Sequence, residues 1–385
     1  MPEAPIGSGL QVAARWLCLV LCAAFLSASG SLVRAADEVL LAMITAKTGK
    51  AGASNVVSFD GARFAVARIN EQGGILGRPV RLLEFDNQGT PEGSAEAGRQ
   101  AVEAGAVAVV GCNWSAHSLA LAEVLQQAQI PMISHMSTNE AVTRVGDFIF
   151  RICFTDSFQG SGLARFVREN LNAETAVVLV DMGRTYSKGL AEVFSVAFRQ
   201  RGGRVVWRGE YEAESLNADS LLREAARHKP DVLFVPGGFA DVSELFGRAR
   251  GYGLRSALVS GDGIGVRMYD YIGSKADGIY YSGHWSRWVD TPESRSFVDL
   301  FEKRVGPMPE DSIALCYDSF MVLREAIERA GSLEPARIRD ALAATSGYRG
   351  VTGTIQFDQN GDSIKPLVIR RLKFGGVMYI GSMEP

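Results

Sequence analysis

From Val39 onward, short apolar runs of strand length alternate with amphipathic stretches of helical period. Val, Ile and Leu dominate these runs, as in VLLAMI at 39–44, TAVVLV at 175–180 and DVLFVPG at 231–237. Strands that are apolar on both faces are typical of parallel sheets that helices cover on both sides. The pattern therefore predicts an α/β protein with doubly wound sheets.

The alternation falls into two similar halves, one between Val39 and Ile133 and the other between Thr175 and Gly283. The chain of 385 residues is also longer than the roughly 250 to 300 residues at which a single core stops growing. We therefore predict two Rossmann-like lobes in tandem. Ligands of such folds sit beyond the carboxyl ends of the strands, so the cleft between the lobes is the expected site.

The N-terminal segment is predicted to be a signal for export. Arg15 precedes the apolar run WLCLVLCAAFL at 16–26, which is too short to cross a bilayer as a membrane anchor. Val33 and Ala35 fit the small-residue pattern of a cleavage site. We expect residues 1–35 to be removed as a signal peptide.

Composition and motifs exclude several classes of function. The net charge is −3 and long runs of Lys or Arg are missing, which argues against a nucleic-acid partner. The phosphate-loop, zinc-protease and hydrolase-elbow motifs do not occur, and the four histidines are scattered. We expect neither an enzyme nor a cofactor or bound metal. Three cysteines beyond the signal segment are expected to be buried, namely Cys112, Cys153 and Cys316.

Polar and aromatic side chains follow the ends of the predicted strands. Serine and threonine hydroxyls at helix N-termini can hold a carboxylate without an arginine, and Asp262 can hold an ammonium. Each hydroxyl also fits the simpler role of a helix N-cap, and each aromatic that of a core residue. The candidates are Ser115 with Trp114 beside it, Ser137, Thr138, Tyr186, Phe239 and Asp262.

Long segments of the chain resemble the periplasmic branched-chain amino acid (leucine/isoleucine/valine) binding protein family of ABC transporters. They include INEQGGILGRPV at 69–80, TYSKGLAEVF at 185–194 and GYRGVTGTIQFDQNGD at 347–362, and the resemblance covers nearly all of the mature chain. It implies a type I periplasmic binding protein, in which a three-stranded hinge joins the two lobes. The implied boundaries are 36–156 with 286–346 for lobe 1, and 157–285 with 347–385 for lobe 2.

The resemblance also implies roles for the candidate residues. Ser115 and Thr138, with Ser137 adjacent, correspond to the site of the ligand's α-carboxylate, and Asp262 corresponds to the acid that binds the α-ammonium. Tyr186 and Phe239 correspond to aromatics of the pocket. The remaining two positions are Ser54, which stands where the family often has an aromatic and so implies a roomier pocket, and Trp114, which is expected to form a pocket wall.

The implied function is the capture of an amino acid, branched-chain or related, by hinge closure in the periplasm. The expected protein is a monomer that delivers its ligand to an ABC transporter permease in the membrane. The same fold binding another small solute, such as an aromatic acid, an amide or a urea-like compound, remains an alternative. A ligand-binding module of a sensor is a further one.

The export signal gives a direct prediction. Mass spectrometry of secreted protein should find a mature chain that begins near Ala36, because cleavage is expected after Val33-x-Ala35. Secreted protein that retains Met1 would contradict it.

Overall fold

The computed structural model of the protein describes Met1, residues 38–307 and residues 311–384. The predicted cleavage site lies outside the described residues. Within the part of the chain that is described, no helix is both long and apolar enough to cross a membrane.

The first sheet has five parallel strands in the order β2-β1-β3-β4-β5. The central strands are buried on both faces, as their continuous apolar sequences predict. The strands are β1 (Val39–Thr45), β2 (Val80–Asp86), β3 (Ala108–Gly111), β4 (Met132–Ser134) and β5 (Ile149–Arg151). The accompanying helices are α1 (Gly52–Asn55), α2 (Ser58–Glu71), α3 (Pro91–Glu103) and α4 (Ser115–Ala128).

The second sheet has seven strands in the order β14-β13-β10-β9-β8-β6-β7. Its first five strands along the chain are parallel, and the last two join antiparallel at one side. The strands are β6 (Thr175–Asp181), β7 (Arg204–Tyr211), β8 (Val232–Phe234), β9 (Ala257–Ser260), β10 (Tyr280–Gly283), β13 (Leu367–Lys373) and β14 (Gly376–Met383). The helices are α5 (Asp156–Glu169), α6 (Thr185–Gln200), α7 (Ala218–Arg227), α8 (Phe239–Ala249) and α9 (Met268–Ile272). The predicted α/β class with two doubly wound sheets is confirmed.

The chain returns to the first sheet after β10. Helix α11 packs against α2, and this close approach depends on Gly61, because a Cβ atom there would lie 2.4 Å from the carbonyl oxygen of Ile313. The returning elements are α10 (Pro292–Arg304), α11 (Asp311–Ala330), α12 (Pro335–Ala343) and the hairpin of β11 (Tyr348–Gly350) and β12 (Gly353–Ile355).

The last passage to the second sheet follows this hairpin. Ile355 and Phe357 lie in the hydrophobic cluster of the first sheet, although the boundaries expected from the resemblance assign 347–385 to lobe 2. Packing therefore indicates that the chain crosses from the first lobe to the second over residues 358–366, just before β13 begins at Leu367. The exact lobe boundaries stay a proposal.

A buried ion pair holds residues 358–366, the last passage to the second sheet, against β5. Arg151 is fully buried, and its Nε donates to Oδ1 of Asp362 over 2.8 Å, while its Nη1 donates to the carbonyl oxygen of Ser137 over 2.7 Å. The half-exposed Arg144 contacts the other oxygen of Asp362 at 3.1 Å. One carboxylate therefore connects the end of β5, the loop after β4 and the segment that leads into β13.

Asp362 contacts two arginines, the buried Arg151 and the half-exposed Arg144, and substitutions can compare what each contact contributes to stability. Asp362→Asn should lower the free energy of unfolding by about 3 to 5 kcal/mol, because it leaves the buried Arg151 without its counter-ion. Arg144→Gln removes a solvent-exposed partner and should cost at most about 1 kcal/mol. Urea denaturation of both variants measures the difference, and equal losses would contradict a special role for the buried pair.

Candidate functional site

The carboxyl ends of the parallel strands of both sheets meet in a cleft, and the lobes touch across it. Nη1 of Arg267 donates to the carbonyl oxygen of Ala53 over 2.6 Å. The guanidinium of Arg184 lies 5.3 Å from the ring centre of Trp114. These contacts join the second lobe to the loops after β1 and β3, so the cleft is closed in this structure.

Asp262, directly after β9, is already bound by three side chains. Its Oδ1 accepts hydrogen bonds from the Tyr186 hydroxyl at 2.9 Å and from Nε2 of Gln159 at 2.5 Å. Its Oδ2 lies 2.9 Å from Nε2 of His284. Burial by itself raises the pKa of a carboxyl, but the hydrogen bond and charge of His284, with the other two bonds, hold the pKa of Asp262 below its usual value. Asp262 is therefore an ionised group with a partner inside the protein.

Two glycines make room for the tyrosine of this cluster. Tyr186 is the second residue of α6, and a Cβ atom at Gly261 would lie 2.1 Å from its hydroxyl oxygen. A Cβ atom at Gly263 would lie 3.3 Å from its ring. The sequence Gly261-Asp262-Gly263 thus brings the carboxylate and the phenol together.

Asp156, the first residue of α5, is a second buried acid of the cleft and was not among the predicted residues. Its Oδ2 accepts from Nδ2 of Asn139 at 3.2 Å, whereas its Oδ1 has no hydrogen-bond partner among the residues that the structure describes. Burial raises the pKa of Asp156 to about 8, against the lowering effect of a hydrogen bond from Thr138. In contrast to Asp262, Asp156 makes no ion pair within the part of the chain that the structure describes.

Two buried histidines lie beside these acids. The ring of His284 stacks on Phe154 with a centroid distance of 3.9 Å, and its Nδ1 has no partner among the described residues. Nε2 of His135 is 3.4 Å from the hydroxyl of Ser58. Burial, and secondarily the charge of His284, lowers the pKa of His135 to about 3, so His135 is neutral.

Several buried polar atoms around the cleft lack partners within the described part of the chain. Buried polar groups in folded proteins are nearly always hydrogen-bonded, to the protein, to water or to a ligand. The elements that carry them come from both lobes. The atoms are Nδ2 of Asn55, Nδ1 of His135, Oδ1 of Asp156, Oε1 of Gln159 and Nδ1 of His284.

The predicted residues Ser137, Thr138 and Ser115 each have a different environment. The Ser137 hydroxyl is bound internally, 2.7 Å from that of Ser118, and so has a structural partner. Thr138 adjoins Asp156. Its carbonyl oxygen accepts a hydrogen bond from the backbone N–H of Asp156 over 2.8 Å. Ser115 is the buried first residue of α4, where the backbone N–H groups and the helix dipole favour an anion.

The other predicted residues lie at the closed rim. Phe239 begins α8 and contacts Arg267, whose guanidinium is 5.8 Å from its ring centre, rather than Asp262. The Ser54 hydroxyl donates to the carbonyl oxygen of Ala51 in its own turn. Trp114 lies under Arg184, as a wall of the cleft would. Tyr186 and Asp262 are joined directly, whereas contact of any of these residues with a ligand stays a prediction.

Such an architecture, with two doubly wound lobes and polar groups around a closed cleft, is that of a ligand-capturing protein. Residues 38–376 match the family model described as periplasmic binding protein. The chain belongs to this family.

Known proteins resemble this chain in structure or in sequence. A leucine binding protein of Thermotoga maritima superposes with a TM-score of 0.86 at 31% identity, covering 90% of this chain and 99% of that one. The branched-chain amino acid transporter substrate binding protein LivJ of Streptococcus pneumoniae, in complex with isoleucine, has a TM-score of 0.84 at 27% identity and covers 90% and 100%. The leucine-specific-binding protein of Salmonella typhimurium is 23% identical over 85% of this chain and 88% of its own length.

The unpaired acid predicts how stability depends on pH. An aspartate of the unfolded chain ionises near pH 4, whereas folded Asp156 keeps its proton up to about pH 8. Between these values the folded state binds more protons than the unfolded state. The contribution of protonated Asp156 to stability is therefore lost as pH rises from about 4 to about 8. Asp156→Asn should stabilise the ligand-free protein at pH 8, by on the order of 1 to 3 kcal/mol, and flatten its thermal stability over this range.

Asp270→Asn, which changes a surface aspartate of α9, is the control for this measurement. It should leave the pH profile of the melting temperature unchanged. If Asp156→Asn gives the same profile as the parent, Asp156 is not an uncompensated buried acid.

Proposed function

We propose that this protein is the extracytoplasmic solute-binding protein of an ABC transporter, and that it captures an amino acid, branched-chain or related, in the cleft between its lobes. The family supports a binding function without catalysis, and the relatives named for leucine or its branched-chain analogues support the ligand class. The partner is a membrane permease, and the protein acts as a monomer in the periplasm.

One observation carries the ligand class, namely the buried carboxyl of Asp156 with an unpaired oxygen. Without a cation this buried carboxyl keeps its proton up to about pH 8, and it ionises readily only when a cation pairs with it, whereas Asp262 already has His284 as a partner. The ammonium of an amino acid supplies that cation. Its carboxylate then fits Ser115 and the N-terminus of α4 on the other side of the cleft.

Closure of the hinge is the mechanism of capture. Contacts such as Arg267 with Ala53 and Arg184 with Trp114 exist only when the lobes are together. A ligand that bridges the acid side and the hydroxyl side of the cleft adds contacts available only in this closed form. It therefore shifts the equilibrium towards closure, and the closed form docks on the permease.

A ligand without an ammonium is the second candidate, and the pairing of Asp262 favours it. Because His284 already lies against Asp262, this acid does not by itself demand a cationic ligand. An aromatic acid would bring only a carboxylate, which Ser115 and the N-terminus of α4 suit. The two candidates differ in what they require of Asp156.

Calorimetric titration with L-leucine, L-isoleucine, L-valine and benzoate distinguishes them. The amino acids should bind, and Asp156→Asn should lose about 3 to 5 kcal/mol, or roughly 100-fold to several-thousand-fold in affinity, since it removes the ammonium's partner. Ser115→Ala removes a neutral group and should cost about 1 to 3 kcal/mol.

Asp299→Asn, a surface change on α10, should leave the affinity within about twofold. Tight binding of benzoate alone, unaffected by Asp156→Asn, would establish the second candidate instead. Full amino-acid affinity in Asp156→Asn would show that the ammonium lies elsewhere.

A further inference from the structure

Two buried side-chain oxygens at the start of α5 have no hydrogen-bond partner among the residues that the structure describes. They are Oδ1 of Asp156 and Oε1 of Gln159, and both side chains are fully buried. Residues three positions apart lie on the same face of a helix. This face of α5 therefore carries two acceptors, of which the proposed function uses only the one on Asp156.

The orientation of the Gln159 amide follows from its other contacts. Its Nε2 donates to Oδ1 of Asp262 over 2.5 Å and to the hydroxyl of Ser282 over 2.8 Å. Burial raises the pKa of Asp262, but its hydrogen bonds, that of His284 first, hold this pKa below the usual value. Asp262 is therefore an ionised carboxylate, which only accepts hydrogen bonds, so the amide nitrogen must face it. The amide oxygen then points away from Asp262 and has no donor within the described residues.

The first four backbone N–H groups of α5 already have acceptors, so neither side-chain oxygen is needed as a helix cap. Two of these acceptors belong to the segment after β4 and two to the residue before the helix. They are the carbonyl oxygen of Thr138, Oε1 of Glu140, and the hydroxyl and carbonyl oxygens of Thr155. Oδ1 of Asp156 and Oε1 of Gln159 are thus available to a ligand.

We propose that Gln159 is a specificity-determining residue, which binds the ammonium of the ligand together with Asp156. The inference rests on the proposed function, because it requires an ammonium that pairs with Asp156. An ammonium carries three N–H donors, and a single carboxyl oxygen leaves the others without an acceptor. Each unpaired donor in a buried site costs free energy, and Oε1 of Gln159 accepts the second one.

Asp262 is a positioning residue in this arrangement. Its Oδ1 accepts from Gln159 and from the Tyr186 hydroxyl, and its Oδ2 lies 2.9 Å from Nε2 of His284. These contacts occupy both oxygens of Asp262 and fix the amide of Gln159 with its oxygen towards the ligand. The ammonium therefore meets the carboxyl of Asp156 and the amide oxygen of Gln159.

The two acceptors select for N–H donors on the α-carbon of the ligand. An amino acid supplies a donor to each of them. Isocaproate, which is leucine without its ammonium, supplies none, and neither does benzoate. Such acids leave Oε1 of Gln159 buried and unpaired, and this cost discriminates against them.

Calorimetric titration of Gln159→Met with L-leucine, L-isoleucine and L-valine tests the proposal. Methionine keeps the length of the side chain but removes the acceptor. Affinity for the tightest of the three should fall by about 10- to 150-fold, as expected for a hydrogen bond to a charged group. Ser282→Ala is the matched control, because it removes a partner of Nε2 and leaves Oε1 in place. It should cost clearly less affinity than Gln159→Met.

Isocaproate separates a direct contact with the ammonium from a structural role of Gln159. If Oε1 accepts from the ammonium, Gln159→Met should weaken L-leucine but bind isocaproate at least as tightly as the parent, because the unpaired acceptor is gone. Equal losses for both ligands would show that Gln159 only supports Asp262, and this overturns the proposal. Displacement of bound L-leucine measures the affinity for isocaproate. Where isocaproate binds too weakly for this, the comparison of Gln159→Met with Ser282→Ala decides.

The outcomes separate the two proposals. If one of the amino acids binds the parent but Gln159→Met loses no more affinity than Ser282→Ala, the role of Gln159 is wrong and the proposed function stands. If none of the three binds the parent, the proposed function fails and the role of Gln159 fails with it. Gln159→Leu repeats the comparison should methionine prevent folding.

Discussion

When the carboxyl ends of the two sheets close on each other, the polar groups between them are removed from water. Most features of this cleft follow from that constraint. The carboxyl ends of parallel strands carry loops and helix N-termini, which are rich in unpaired donors and acceptors. When the lobes meet, each such group must find a partner in the protein or in a ligand. Asp262 finds His284, Tyr186 and Gln159, whereas Asp156 keeps one oxygen without a partner.

Under the proposed function, the two acids therefore contribute differently to binding. Asp262 is held in place by three side chains and keeps its charge in the absence of ligand, so it shapes the site before a ligand arrives. Asp156 is destabilised by closure, because burial opposes its charge and nothing in the described residues compensates it. A closed, empty cleft is accordingly unfavourable at Asp156, and a ligand cation offsets that cost only in the closed form.

Sequence patterns predicted the fold and brought part of the candidate site to the cleft, because both depend on local rules. Runs of Val, Ile and Leu between helices specify parallel strands, and residues directly after strands lie at the cleft, as Tyr186 and Asp262 do. Asp156 was missed because a residue after Thr155 at the start of a helix has an ordinary capping context. The contact of His284 with Asp262 was missed because it joins loops 22 residues apart and depends on the tertiary arrangement. Periodicity likewise carries no information on which lobe the hairpin of Ile355 packs against.

Different interactions stabilise the rim of the cleft, where Arg184 and Arg267 lie, and its floor, where Asp156 and Asp262 lie. This difference affects selectivity. At the rim, Arg184 on Trp114 and Arg267 on Ala53 are partly exposed contacts between the lobes, so they favour closure on any ligand that fits. At the floor, the carboxyl groups of Asp156 and Asp262 are desolvated, and electrostatic interactions there are much stronger than at the surface. Shape therefore governs which side chains enter, while the charge balance at the floor governs whether a ligand must carry an ammonium. Because Asp262 already has His284 beside it, a ligand cation that pairs with Asp156 would complete the floor of the cleft under the proposed function.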